Sequence, residues 1–127
     1  WSVILVDTSV WVDHLRTGER QMVSLLQTGG VYTHAWVIGE LACGNLANRQ
    51  EVLGLLRVLP QLTVATDEEA LYFIERHQLM GRGIGYIDVH LLAAAAIHAT
   101  QIWTRDKRLN KIAEELGRAY IPDARHL

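Results

Sequence analysis

Short apolar runs alternate with longer stretches of helical period along this chain, and that alternation constrains its fold more than any other feature. Val3 to Val6 is a continuous apolar run that ends at Asp7-Thr8-Ser9, residues that cap helices well. It reads as a buried strand feeding a helix. Val31 to Thr33, Leu62 to Ala65, Gln101 to Thr104 and Tyr120-Ile121 are further short strand candidates. Between them lie helical stripes. Met22, Leu25 and Leu26 share one face of Gln21–Gln27, which Gly29-Gly30 stops. Trp36 to Leu46 reads as an apolar helix. Val52, Leu55, Leu56 and Leu59 fall at i, i+3, i+4 and i+7, and Pro60 ends that helix. Thr66 and Glu69 form a capping box for a helix carrying Ala70, Phe73, Ile74 and His77 on one face. Gly81, Gly83 and Gly85 break the chain before Tyr86–Ala99, which is apolar on nearly all sides and so predicts a central, buried helix. Leu109, Ile112, Ala113 and Leu116 make a last stripe, ended by Gly117. Strands alternating with helices predict an α/β fold with a mainly parallel sheet.

The 127 residues show no linker, repeat or low-complexity segment, which predicts one domain over residues 1–127. The longest apolar run, Leu91 to Ile97, is too short to span a bilayer. No basic segment precedes Val3, so no secretory signal is read there. Cys43 is the single cysteine, which excludes an internal disulfide and favours a reducing, cytoplasmic setting. It reads as a small buried residue on a helix. The six histidines lack ligand spacing, apart from the weak pair His90 and His98. The formal net charge of −2 argues against a generally basic nucleic-acid binder. That objection weakens if several acids gather at one metal.

Four acids stand out. Asp7 directly follows the first strand, and Asp106 follows the Gln101–Thr104 strand after one residue. Ligands of open α/β sheets bind beyond the carboxyl ends of strands, so both acids suit one crevice. Glu40 and Asp88 lie on apolar helices. One helical turn away stand Trp36 and Gly44 for Glu40, and Ile84 and Leu92 for Asp88, none of them basic. Buried carboxylates are costly unless paired or bound to a cation. Four converging carboxylates suit a hard divalent ion such as Mg²⁺ or Mn²⁺, and that suits phosphodiester hydrolysis. Each acid also has a plainer reading. Asp7 suits a helix cap, Asp88 and Asp106 suit helix N-termini, and Glu40 suits a partly exposed helix.

At this point the pattern resembles a known family. Val6-Asp7-Thr8-Ser9-Val10-Trp11 resembles the opening motif of PIN domains, especially the VapC toxins. Gly39-Glu40-Leu41, Tyr86-Ile87-Asp88-Val89-His90-Leu91-Leu92-Ala93-Ala94 and Thr104-Arg105-Asp106-Lys107-Arg108-Leu109 resemble the second, third and fourth motifs, in the family's order. The resemblance implies a PIN fold, a three-layer α/β/α sandwich around a mainly parallel sheet. It implies a Mg²⁺- or Mn²⁺-dependent endoribonuclease, the toxin of a type II toxin–antitoxin pair, with a VapB-like antitoxin and homodimerisation. By position, Asp7, Glu40, Asp88 and Asp106 would be the catalytic, metal-binding quartet. Thr8, Ser9 and Thr104 would orient ligands or water, or simply cap helices. Some PIN domains carry a further acid after the fourth motif. Lys107 and Arg108 stand there in this chain, so the resemblance does not extend to a second, tightly held metal.

Arg105, Lys107, Arg108 and Lys111 cluster beside Asp106, and Arg82 sits in the glycine-rich loop. These five are candidate RNA phosphate contacts, or else a solvated face. Trp11, Trp36 and Tyr86 lie near the acids in sequence and either stack on bases or fill the core. The remaining rivals are a DNA-directed nuclease and an inactive PIN-like module that binds RNA or protein. A phosphoryl-accepting domain would use paired acids after its first strand and a late lysine. A phosphatase would need Asp-x-Asp, where this chain has Ser9.

Overall fold

The β-branched and leucine residues of the first apolar run make the middle strand of a parallel sheet. The computed structural model describes residues 3–122. Its strands are β1 (Ile4–Val6), β2 (Val31–Tyr32) and β3 (Gln101–Trp103), in the order β2-β1-β3. Ile4 and Leu5 pair with Val31 and Tyr32 on one side. Ile4, Leu5 and Val6 pair with Gln101, Ile102 and Trp103 on the other. All three residues of β1 are fully buried, as a strand covered on both faces requires.

Seven helices are described: α1 (Thr8–Thr17), α2 (Arg20–Gln27), α3 (Ala35–Ala42), α4 (Arg49–Val58), α5 (Asp67–His77), α6 (Tyr86–Ile97) and α7 (Lys107–Glu115). The crossover from β1 to β2 and the one from β2 back across β1 to β3 run in opposite directions. Right-handed crossovers in opposite directions put helices on both faces of the sheet, giving the three layers expected. Residues Val89 to Ala95 of α6 are all buried. With Leu109 and Ile112 of α7 and Ile102 of β3, the α6 leucines form the heart of the core. No described helix is long and apolar enough to cross a membrane.

Several local expectations need correction. Helix α3 stops at Ala42 rather than Leu46, because the Arg49 guanidinium folds back onto its end. Arg49 donates to the Ala42 carbonyl at 2.6 Å and to the Gly44 carbonyl at 3.1 Å, satisfying acceptors the helix leaves open. Cys43 at that end is exposed, not buried. Leu62–Ala65 and Tyr120-Ile121 are not regular strands. Each region contributes one parallel bridge instead, Thr33 with Gln61 and Ile102 with Ala119. Leu62 and Ala65 are buried all the same. Their apolar character reflects packing, while Pro60 withholds a ladder N–H at the start of the segment.

Candidate active site

Asp7 stands at the carboxyl end of the central strand, and Thr104 lies just past the end of its neighbour β3. Strands β1 and β3 are the adjacent pair whose connections depart in opposite directions, which opens the crevice where open α/β sheets bind ligands. Asp7 is buried there at 6% exposure. Its Oδ2 accepts hydrogen bonds from Thr104 Oγ1 at 2.7 Å, Ser9 Oγ at 2.8 Å and the Ser9 amide at 3.4 Å. Thr104 Oγ1 also accepts from the Asp106 amide at 3.1 Å. A single hydroxyl therefore joins the first and fourth acids. Ser9 Oγ in turn accepts from the Arg105 amide at 2.9 Å, stitching α1 to the β3–α7 turn.

The other acids are held from different elements. Glu40 Oε1 on α3 accepts from Thr8 Oγ1 at 2.7 Å. Asp88 Oδ2, in the first turn of α6, accepts from the Gly85 amide at 3.3 Å. Asp106 caps α7, its Oδ1 accepting from the Arg108 and Leu109 amides at 2.9 and 3.0 Å. The capping role and a ligand role are compatible, because each carboxylate spends one oxygen only. Asp7 Oδ1, Glu40 Oε2, Asp88 Oδ1 and Asp106 Oδ2 have no hydrogen-bond partner among the described residues.

The four acids share one electrostatic neighbourhood. The Asp88 carboxyl is pushed above the usual carboxylate range, first by burial, with the Gly85 amide opposing, and then by the negative charges of Asp7, Asp106 and Glu40. None of the four has an ion-pair partner among the described residues. Such a set, all oxygen donors with uncompensated negative charge, matches what a hard divalent cation binds. In the arrangement seen, the carboxylates turn toward hydroxyl and amide donors. Among the described residues no three acidic, histidine or cysteine side chains stand close enough together to hold one ion.

The five basic candidates divide. Arg105 is not available as expected for a phosphate. Its guanidinium bonds to Asp13 of α1 and to Glu19, which immediately precedes α2, and it lies 5.8 Å from the Trp103 ring centre. Arg82 makes a two-pronged pair with Glu115, at 3.1 and 2.8 Å. A phosphate would have to compete with these carboxylates. Lys107, Arg108 and Lys111 are exposed and have no carboxylate within salt-bridge range among the described residues. The Arg108 side chain lies over Gly83, whose φ is +83° and where a Cβ would meet it at 2.7 Å. That glycine lets the loop before α6 close against α7.

Sequence reasoning missed Asp13 and Glu19, which restrain the turn bearing Asp106 from 92 and 86 residues away. It also missed His34. The His34 ring is fully buried, and its Nδ1 accepts from the Trp36 amide at 3.0 Å, capping α3 ahead of Glu40. Histidine is not among the usual capping residues, so no pattern flagged it.

A parallel sheet with an acid at its switch point and further acids on the surrounding helices suits a PIN-domain protein. The PIN-domain family pattern matches residues 4–115, and the chain belongs to that family. It is 44% identical over 116 residues to Ribonuclease VapC32 of Mycobacterium tuberculosis, covering 91% of this chain and 94% of that one. Its fold is similar to FitAcB from Neisseria gonorrhoeae, with a TM-score of 0.63 at 20% identity, covering 98% of this chain and 100% of that one. A toxin–antitoxin complex from Klebsiella pneumoniae aligns with a TM-score of 0.60 at 19% identity, covering 81% and 86% of the two chains.

Proposed function

We propose that this chain is an endoribonuclease of the VapC type, dependent on Mg²⁺ or Mn²⁺, and the toxin half of a toxin–antitoxin pair. The observation that carries the reading is that Asp7, Asp106 and Glu40 all act on the Asp88 carboxyl, each of the four acids having one oxygen unspent and none being neutralised by a described cation. The extensive identity with Ribonuclease VapC32 supports RNA as the substrate.

In this reading the four unspent oxygens hold the ion. A bound divalent ion would polarise a scissile phosphate and lower the pKa of an attacking water. The chain's own groups set the geometry. Thr104 and Ser9 fix the Asp7 carboxylate through its Oδ2 and leave Oδ1 free. Thr8 orients Glu40 from the first turn of α1. A carboxylate of the quartet would take the proton of the attacking water. Lys107, Arg108 and Lys111 flank Asp106 and would bind backbone phosphates leading to the crevice.

The antitoxin reading draws on the likeness to the toxin–antitoxin complex and on an uncovered apolar groove of about 320 Å³. Trp11, Leu15, Leu26, Val52, Leu55 and Val58 line it, from α1, α2 and α4. An amphipathic helix laid in this groove would cover Leu55 and Val58, which are otherwise exposed.

Purified chain, incubated with a pool of structured cellular RNAs in Mg²⁺, Mn²⁺ or EDTA, tests the enzyme. Discrete fragments that require metal and disappear with Asp7→Asn are expected. Absence of cleavage in both metals by a folded, metal-binding chain would overturn the ribonuclease reading.

A further inference from the structure

The seam between α3 and α6 carries an aromatic cluster that the acid chemistry leaves unused. Trp36 precedes Glu40 by four residues and so shares its face of α3. Tyr86 opens α6 two residues before Asp88. His90 lies between the two rings, 1% exposed. Its ring centre is 4.1 Å from Trp36 at an interplanar angle of 42°, and 4.6 Å from Tyr86 at 85°. Trp36 and Tyr86 stand 6.0 Å apart. Both His90 nitrogens lack a hydrogen-bond partner, and Asp67 is 3.6 Å from Nε2, too far for one. His90 thus serves as the floor of the cluster, a ring packed beneath two others.

The upper rings are not closed over. Trp36 is half-buried and Tyr86 is 40% exposed. Tyr86 is held in place at the surface, donating its hydroxyl to Asp67 Oδ1 at 2.8 Å. Pinning an exposed ring removes rotamer freedom before any ligand arrives, so less is lost on binding.

The position gives the cluster a substrate. A phosphate at the acidic crevice has α7 on one flank, with Lys107, Arg108 and Lys111 beside Asp106. On α3, Trp36 shares the face of Glu40 one turn away, and Tyr86 and His90 of α6 pack against that same tryptophan. The α7 flank offers positive charge for the backbone. The α3–α6 flank offers uncharged aromatic surface beside acids that repel phosphate. An unpaired base suits such a surface, because an aromatic face stacks on any base.

We propose that Trp36 and Tyr86, seated on His90 and pinned by Asp67, form a stacking platform for an unpaired RNA base next to the scissile phosphate. This inference rests on the ribonuclease reading for its substrate. It makes the enzyme selective for single-stranded segments, because a base held in a duplex cannot reach the platform.

A fluorogenic, mixed-sequence single-stranded RNA oligonucleotide in Mn²⁺ is the first probe. Trp36→Leu and Tyr86→Leu should each raise KM roughly tenfold and change kcat less than about threefold, in line with stacking energies measured at other sites. Trp36→Phe, which keeps a ring, should restore most of the loss. Binding of the same oligonucleotide by fluorescence anisotropy, in an Asp7→Asn background, reads the platform without turnover, and Trp36→Leu should weaken it by a similar factor. Cleavage lacking in every variant while anisotropy retains the Trp36 effect would sink the ribonuclease reading and keep the base platform. Normal cleavage and binding in folded Trp36→Leu and Tyr86→Leu would overturn the platform and leave the rings to a protein partner.

Discussion

Helices α6 and α4 both present leucine-rich faces, and the fold uses them in opposite ways. In α6, every residue from Val89 to Ala95 is buried, because the helix lies across the sheet and has neighbours on all sides. In α4, only Leu56 is buried, while Leu55 and Val58 are 66% and 78% exposed. The difference follows from placement in the layers. α6 sits against the sheet, and α4 packs at the periphery against α3, with one side of its apolar stripe facing the groove between α1 and α2. Apolar content on α6 goes into holding the catalytic edge together. Apolar content on α4 is left over after folding, and an exposed patch of that kind marks a surface for something else to cover.

That contrast makes unequal demands on stability. Leu92→Ala should cost about 2–5 kcal/mol, the range for a leucine deleted from a packed core, read as a lower urea midpoint with the slope unchanged. His34 should give the next largest effect. Burial, with help from the nearby His90, pushes its pKa from 6.5 down to about 4, so the folded ring stays neutral. The unfolded chain takes up a proton as pH falls below 6.5, and the folded chain does not until about 4. Stability is therefore full above that window and declines through it, by roughly 3 kcal/mol at the acid end. His34→Asn keeps an acceptor for the α3 cap and should flatten urea midpoints across the same pH range. A slope that survived the substitution would assign the acid sensitivity elsewhere. Smallest of all, Leu55→Ala should stay within about 0.5 kcal/mol of the parent chain. A loss near that of Leu92→Ala would mean that α4 is covered in the free protein, and the contrast would collapse.

The elements that sequence alone made legible are those whose pattern is strong and local. β1 shows as an unbroken apolar run, α6 as a helix with no polar face, and the Thr66–Glu69 capping box forms as its spacing predicts. The four acids were conspicuous for the same reason, as ionised groups beside a strand end or on an apolar helix, although Glu40 proves exposed, as its plainer reading expected. What escaped were properties decided by distant partners. The end of α3 depends on Arg49 folding back, and the engagement of Arg105 depends on Asp13 and Glu19. The segments at Leu62 and Tyr120 have strand-like composition, yet each edge makes one bridge only. Composition reports which side chains seek burial. It does not report whether a backbone finds a ladder to join.

The central claim is that Asp7, Glu40, Asp88 and Asp106 act as one cation site despite arising from four elements. Calorimetric titration of the chain with Mn²⁺, alongside Asp7→Asn, Glu40→Gln, Asp88→Asn and Asp106→Asn, tests it without any RNA. The account predicts a saturable site in the parent chain and markedly weaker binding in each of the four variants, all of them folded. Mn²⁺ binding unchanged across the four would contradict it.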